Sequence, residues 1–253
     1  MSFTFKRFYI DDTHCAMKVG TDGVLLGAWA DVAGAKRILD IGCGSGLVAL
    51  MLAQRCEAAQ VVGIEIDDAA AQDAIDNAAR SPFASRIDVV QADVLKFAQD
   101  NSQKFAQDNS QKIAQDNSQK FDCIVCNPPY YEEDVLPPAA QRAQARHTAG
   151  GGLTFAALLQ AVSLLLDAEA TTARFSVVLP TVAAPNFIAL AAVHGLDLIR
   201  RTDVVTRRSK PCKRVLLEFS PHSVSLQRST LELLGVGNER SEEYDELCKD
   251  FYL

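Results

Sequence analysis

The sequence predicts an α/β protein whose core is a mostly parallel sheet of about seven strands flanked by helices. Three observations carry that expectation. Short apolar runs of strand length alternate with helix-length segments along most of the 253 residues. A glycine-rich turn, residues 42–46, follows the first such run and opens a helix. Acidic residues then stand at the ends of successive apolar runs.

Taken in order, Arg-Ile-Leu-Asp-Ile at 37–41 is a short apolar strand, and the glycine turn leads into a helix over 47–55. A second strand spans 61–65, and Asp68 is placed to cap an alanine-rich helix running to about Arg80. Strands three and four are 87–90 and 121–126. The greasiest segment, 153–166, reads as a buried helix, too short to span a bilayer. A fifth strand at 174–179 is stopped by Pro180. The helix over 185–194 ends at Gly195, a natural left-handed cap. Runs 196–205 and 212–219 are the last two strands, joined as a hairpin. Periodicity alone leaves other doubly wound folds open.

One region breaks the pattern. Phe-Ala-Gln-Asp-Asn-Ser-Gln-Lys at 97–104 recurs at 105–112 and, with Ile113 for Phe, at 113–120. Eight residues turn a helix about 80° past two full turns, so Phe97, Phe105 and Ile113 cannot share one buried stripe. A solvated helix or flexible loop inserted between strands three and four is expected there.

Composition narrows the function. No signal-peptide run opens the chain and no long uncharged apolar stretch follows, so a soluble cytoplasmic protein is expected. Seven cysteines suit reduced thiols. The pair Cys123 and Cys126 has half a metal motif's spacing, but it lies inside an apparent buried strand without a second pair. No metal site is expected. The net charge of −7 argues against general nucleic-acid binding. Against it stands a basic stretch, Arg200, Arg201, Arg207, Arg208, Lys210, Lys213 and Arg214, with Asp203 its one acidic member. Such a stripe on an acidic body can grip phosphates, or it can be a solvated loop.

The turn Asp40-Ile-Gly42-Cys-Gly44-Ser-Gly46 differs in spacing from a dinucleotide fingerprint. Its glycines allow a tight turn and close approach of a ligand. Asp40 at the strand end would accept from a cationic amino-acid head group rather than tolerate a pyrophosphate. Glu65 ends the next strand, where a carboxylate can take both ribose hydroxyls, and Asp93 ends the third, where it can meet an adenine amino group. Each could instead be a helix cap. Jointly they suit a nucleoside without phosphates, as in S-adenosyl-L-methionine.

After the fourth strand come Asn127-Pro128-Pro129-Tyr130. An amino group conjugated with a ring is planar and a poor nucleophile. Acceptors on its two N–H groups, the Asn127 side-chain oxygen and the Pro128 carbonyl, can draw its nitrogen toward tetrahedral geometry. Two prolines keep the carbonyl aimed. Tyr130 offers a face for a planar substrate, a stack worth roughly 1–3 kcal/mol.

These motifs resemble those of the class I amino-methyltransferases, which implies a Rossmann-like sheet and S-adenosyl-L-methionine as methyl donor. The amino-terminal stretches 3–8 and 15–29, Arg142, Arg146 and His147, and the ending 251–253 narrow the resemblance. They are similar to the bacterial tRNA1(Val) (adenine-37-N6)-methyltransferase family, over nearly the whole chain except the octapeptide array. The resemblance implies methylation of the exocyclic N6 of adenine 37 in the anticodon loop of a valine tRNA. It also places Lys18, Gly20 and Thr21 near the cofactor's amino-acid end. Gly20-Thr21-Asp22 could open a helix whose amino end receives a carboxylate. Residues 1–30 are then an extension completing the cofactor pocket, 31–253 the methyltransferase domain, and 97–120 the low-complexity insertion. Arg207, Arg208, Lys210, Lys213 and Arg214 are the expected tRNA contacts. Rival readings are methylation of a protein glutamine amide or of the guanine N2 of ribosomal RNA, and a non-catalytic RNA-binding protein.

Overall fold

A computed structural model describes residues 2–107, 120–129 and 153–253. The chain opens with a small antiparallel hairpin, β1 (Ser2–Thr4) and β2 (Tyr9–Asp11), then α1 (Thr21–Trp29). Next come β3 (Arg37–Ile41), α2 (Leu47–Arg55), β4 (Gln60–Glu65), α3 (Asp68–Arg80), β5 (Ile87–Gln91) and α4 (Val94–Gln107). The second half holds β6 (Cys123–Cys126), α5 (Phe155–Leu165), β7 (Arg174–Pro180) and α6 (Ala184–Val193). It closes with β8 (Asp197–Val205), β9 (Arg214–Ser220), β10 (Gln227–Glu232) and α7 (Glu242–Cys248).

Eight strands form one sheet in the order β10-β8-β9-β7-β6-β3-β4-β5. The run from β7 to β5 is parallel throughout, and β9 is antiparallel to both neighbours. The expected mostly parallel sheet and terminal hairpin are present. The strand count is corrected from seven to eight by β10, which joins the edge of β8 in parallel. The order reverses beside β3, between β4 and β6, so the carboxyl ends of these strands diverge and leave a crevice.

Two apolar cores follow from the alternation of strand side chains. One lies between the sheet and α1, α2, α3 and α7, the other beneath α4, α5 and α6. Cys123 belongs to the first and Cys126 to the second, so their thiols point to opposite faces and cannot chelate one ion together. Burial raises both thiol pKa values. Gly27 lets α1 press on α2: a Cβ there would stand 2.7 Å from the Met51 Sδ.

Two local expectations are corrected. The cap of α3 is Asp67, not Asp68: Asp67 has extended backbone and its carboxylate accepts from the Ala70 N–H, while Asp68 is already the first helical residue. The first octapeptide is not merely solvated. It lies in α4, with Ala98 buried and Phe97 half-buried against the core that α5 closes. Residues 108–119 of the array lie outside the described residues.

Candidate active site

The crevice holds a cavity of about 810 Å³, lined by the carboxyl ends of β3, β4 and β6, the starts of α2 and α4, and residues 15–23. The glycine loop forms its floor. Gly42, Gly44 and Gly46 all take left-handed φ, at +68°, +53° and +81°. The N–H groups of Gly42 and Cys43 donate to the Ile64 carbonyl at 2.8 and 3.0 Å, tying the loop to the end of β4. A Cβ on Gly46 would meet Ala74 at 3.3 Å, and one on Gly44 would meet the Cys15 Sγ at 3.2 Å. Over Gly42 there is nothing within 4 Å. That stretch of backbone faces open space.

The three strand-end carboxylates line the cavity together. Each also holds backbone. Asp40 is buried and accepts from the Ala49 N–H of α2 at 3.0 Å. Burial, with Glu65 adding to it against the Ala49 bond, raises its pKa to about 7. Glu65 accepts from Gly44 N–H at 2.9 Å, Ile66 N–H at 2.8 Å and Asp67 N–H at 3.0 Å. Asp93 Oδ1 accepts from the Leu95 and Lys96 N–H groups, so it does cap α4. Capping and facing the cavity coexist, because a carboxylate has about four lone-pair positions.

The amino-terminal segment forms the facing wall. Lys18, Gly20 and Thr21 all line the cavity. The Lys18 ammonium donates to the Asp12 and Thr13 carbonyls, closing its own loop, and Gly20 is the residue before α1. Sequence reasoning missed what anchors this wall. On one face of α3, Asp73 and Asn77 stand four residues apart and reach back to it. Asn77 accepts from Asp11 N–H and donates to the Asp11 and Ser45 carbonyls, joining the hairpin to the glycine loop. Asp73 accepts from the N–H groups of His14 and Cys15 and pairs with the His14 ring at 2.8 Å. Burial works against the Asp73 charge, but the His14 and Cys15 hydrogen bonds outweigh it and hold the pKa below the usual carboxylate range. An exposed-looking alanine-rich helix gives no local signal of these partners.

On the far side, Asn127 and Pro129 line the cavity beyond β6, and Pro128 is buried beneath them. The Asn127 Nδ2 lies 3.5 Å from the Met17 Sδ, another neighbour the sequence did not point to. Tyr130, Arg142, Arg146 and His147 lie outside the described residues.

The basic stretch divides. Arg200 turns inward: it pairs with buried Glu218 at 2.9 Å, donates to the Trp29 carbonyl, and stacks 3.7 Å over the Trp29 ring. Arg201 pairs with Asp203. Arg207 reaches Val236 O and Asn238, and Arg208 pairs with Glu232 while 85% exposed. Lys210 and Lys213 are exposed. Arg214 lines the cavity and pairs with Asp22 of α1, Nε to Oδ2 at 2.7 Å. Among the described residues, no group of three or more His, Cys, Asp or Glu is placed to hold a metal, and no helix is long and apolar enough to cross a membrane.

A doubly wound sheet with a glycine loop and strand-end carboxylates around one cavity defines a methyltransferase of the Rossmann-like kind. A family model described as a methyltransferase domain matches residues 38–105. A solved structure described as a predicted O-methyltransferase from Agrobacterium tumefaciens shares the fold with a TM-score of 0.62 at 20% identity, over 91% of this chain and 96% of that one. Relatives are closer in sequence. The tRNA1(Val) (adenine(37)-N6)-methyltransferase of Bacteroides thetaiotaomicron is 42% identical, over 99% of this chain and 97% of its own. That of Enterobacter sp. (strain 638) is 44% identical, over 99% and 94%. The chain belongs to the tRNA1(Val) (adenine(37)-N6)-methyltransferase family.

Proposed function

We propose that this protein transfers a methyl group from S-adenosyl-L-methionine to the exocyclic N6 of adenine 37 in the anticodon loop of a valine tRNA, acting in the cytoplasm. The carrying observation is that Asn127-Pro128-Pro129 follows β6 directly beside the cavity that the glycine loop and three carboxylates enclose. The family's near full-length match supports the substrate.

The residues fit this cofactor. Open space over Gly42 admits a ligand against backbone, and Asp40 is a buried carboxylate facing the cavity, a setting that favours a cationic partner. Asp40 would meet the amino-acid head group, with Lys18, Gly20 and Thr21 near its carboxylate. Glu65 would hold the ribose hydroxyls and Asp93 the adenine amino group, while Gly42 and Gly44 shape the floor and Gly46, outside the cavity lining, lets the loop close on Ala74 of α3. The segment 1–30 completes this pocket for the domain 31–253. When bound, the cofactor supplies an electrophilic methyl carbon on a sulfonium.

Asn127 Oδ1 and the Pro128 carbonyl accept from the two N–H groups of the target amine, freeing its lone pair from the ring. Pro129 fixes the direction of that carbonyl, and Tyr130 stacks on the base. The neutral amine needs no base before transfer, and the proton leaves to water afterwards. The test is transfer of radiolabelled methyl into total tRNA, ribosomal RNA and protein from cells lacking the gene, followed by nucleoside analysis. N6-methyladenosine in tRNA supports the reading; label only in protein or as N2-methylguanosine in ribosomal RNA refutes it.

A further inference from the structure

The cavity has two ends, and the sheet distinguishes them. Asp40, Glu65 and Asp93 stand at or just beyond the ends of β3, β4 and β5, on one side of β6. On the other side lie β7 and then β9, whose antiparallel course brings its first residue, Arg214, to the same edge of the sheet. Register fixes its height. Cys126 is level with Val177, and Pro180, three residues further along β7, is level with Arg214, so Arg214 lies past the end of β6, on the edge from which Asn127 leaves. Two strand spacings separate β9 from β6, roughly 10 Å.

Arg214 also differs from its basic neighbours. Arg200 and Arg201 are tied within the sheet, and Arg207 and Arg208 are tied to the segment 232–238. Of the basic residues from 200 to 214, Arg214 is the one that lines the cavity. Its Nε edge is held by Asp22, in the first turn of α1 and 36% against 27% exposed. Its Nη1 also donates to the Lys213 carbonyl at 3.2 Å, so the guanidinium is held in one plane at the cavity wall, and a planar guanidinium is the geometry that matches a phosphate.

We infer that Arg214, oriented by Asp22, is a substrate-positioning residue that takes a backbone phosphate of the RNA strand carrying the target adenine. This rests on the proposed RNA substrate. The strand enters from the β7–β9 side, its phosphate stops at Arg214, and the base continues toward Asn127. The cofactor's carboxylate is the competing anion, because Asp22 directly follows Gly20 and Thr21, and the cofactor Kd of the Arg214 variants decides between the two.

The experiment uses the full chain with unmodified substrate tRNA and compares Arg214→Ala, Arg214→Lys and Asp22→Asn. For Arg214→Ala, kcat/KM for tRNA should fall at least tenfold while the cofactor Kd stays within twofold. The slope of log affinity against log salt should become shallower by about one phosphate contact. Arg214→Lys keeps the charge, so it should restore the salt slope but only part of kcat/KM; it also stands in if the alanine variant fails to fold. Asp22→Asn should lower kcat/KM several-fold with the salt slope retained. A cofactor Kd that weakens in step with turnover would assign Arg214 to the cofactor and overturn the inference. So would an active wild type beside an Arg214→Ala variant with unchanged turnover and salt slope. A wild type that methylates no tRNA would instead remove the reading underneath.

Discussion

The two halves of the cavity are built by different means. On the cofactor side, the shaping contacts are short in sequence: Asp40 reaches Ala49, Glu65 reaches Gly44, and Asp93 reaches Leu95. On the acceptor side, Met17 meets Asn127 across 110 positions and Asp22 meets Arg214 across 192. The strand-end part of the first half is a property of βα units and forms wherever they fold; its amino-terminal wall is docked on α3 through Asp73 and Asn77. The second exists only when distant segments dock. The cofactor half should therefore tolerate damage to the acceptor half, while catalysis should need both.

The largest expected effect breaks the halves apart. Asn127→Ala removes an acceptor that acts as charge develops, so single-turnover methyl transfer should fall about 10²–10³-fold. Cofactor affinity by calorimetry should stay within twofold. A variant that transfers at near wild-type rate would dissociate the Asn-Pro-Pro segment from the chemistry.

On the other half, Glu65→Gln removes the charged acceptor offered to the ribose hydroxyls, a hydrogen bond to such an acceptor contributing on the order of 1.5–3 kcal/mol, and disturbs the three backbone N–H groups it receives. Cofactor affinity should drop tenfold or more. Equal affinity in variant and wild type would show that Glu65 only braces the glycine loop.

Asp40 sharpens the comparison through pH. Its folded pKa, about 7, lies above the ordinary value of 3.8 because of burial. Its contribution to stability is therefore present below about pH 4 and is lost as pH rises through about 7. A cationic head group would reverse that bias by favouring the ionised form. Cofactor affinity of the wild type should rise between pH 6 and 8, whereas Asp40→Asn should show a flat profile. Calorimetric titrations giving two flat profiles would remove Asp40 from the head-group site.

These halves also differ in how far the sequence revealed them. The parallel strands, the glycine loop and the strand-end carboxylates were legible because a βα unit delivers the residue at each strand end to one edge of the sheet. The sequence places the cap of α3 one residue late, at Asp68 instead of Asp67, because only backbone angles distinguish two adjacent aspartates. Strand β10 was not legible: Gln227 to Thr230 are exposed on an edge, so no apolar alternation marks them. Met17, Asp73 and Asn77 were missed for a different reason, since their roles depend on partners brought close by folding.

The smallest expected effect concerns the array beside the cofactor half. Removing residues 97–112 deletes two octapeptides and brings Ile113 and Ala114 to the positions of Phe97 and buried Ala98. The start of α4 and its packing are then rebuilt from the surviving repeat, and loop shortening costs little. Melting temperature should move by only a few degrees, with cofactor affinity unchanged. A large drop would show that the full array packs on the domain.

The opening hairpin carries a consequence for how this protein is made. Its Lys6 N–H donates to the Phe251 carbonyl at 2.8 Å, and Phe5 stacks on Tyr252 with ring centroids 6.1 Å apart. At roughly 5–20 residues per second, a ribosome takes tens of seconds to travel from the one to the other. Throughout that interval Phe3 and Phe5 leave the exit tunnel without Tyr252 to cover them. The nascent chain thus presents an aromatic patch early and conceals it late.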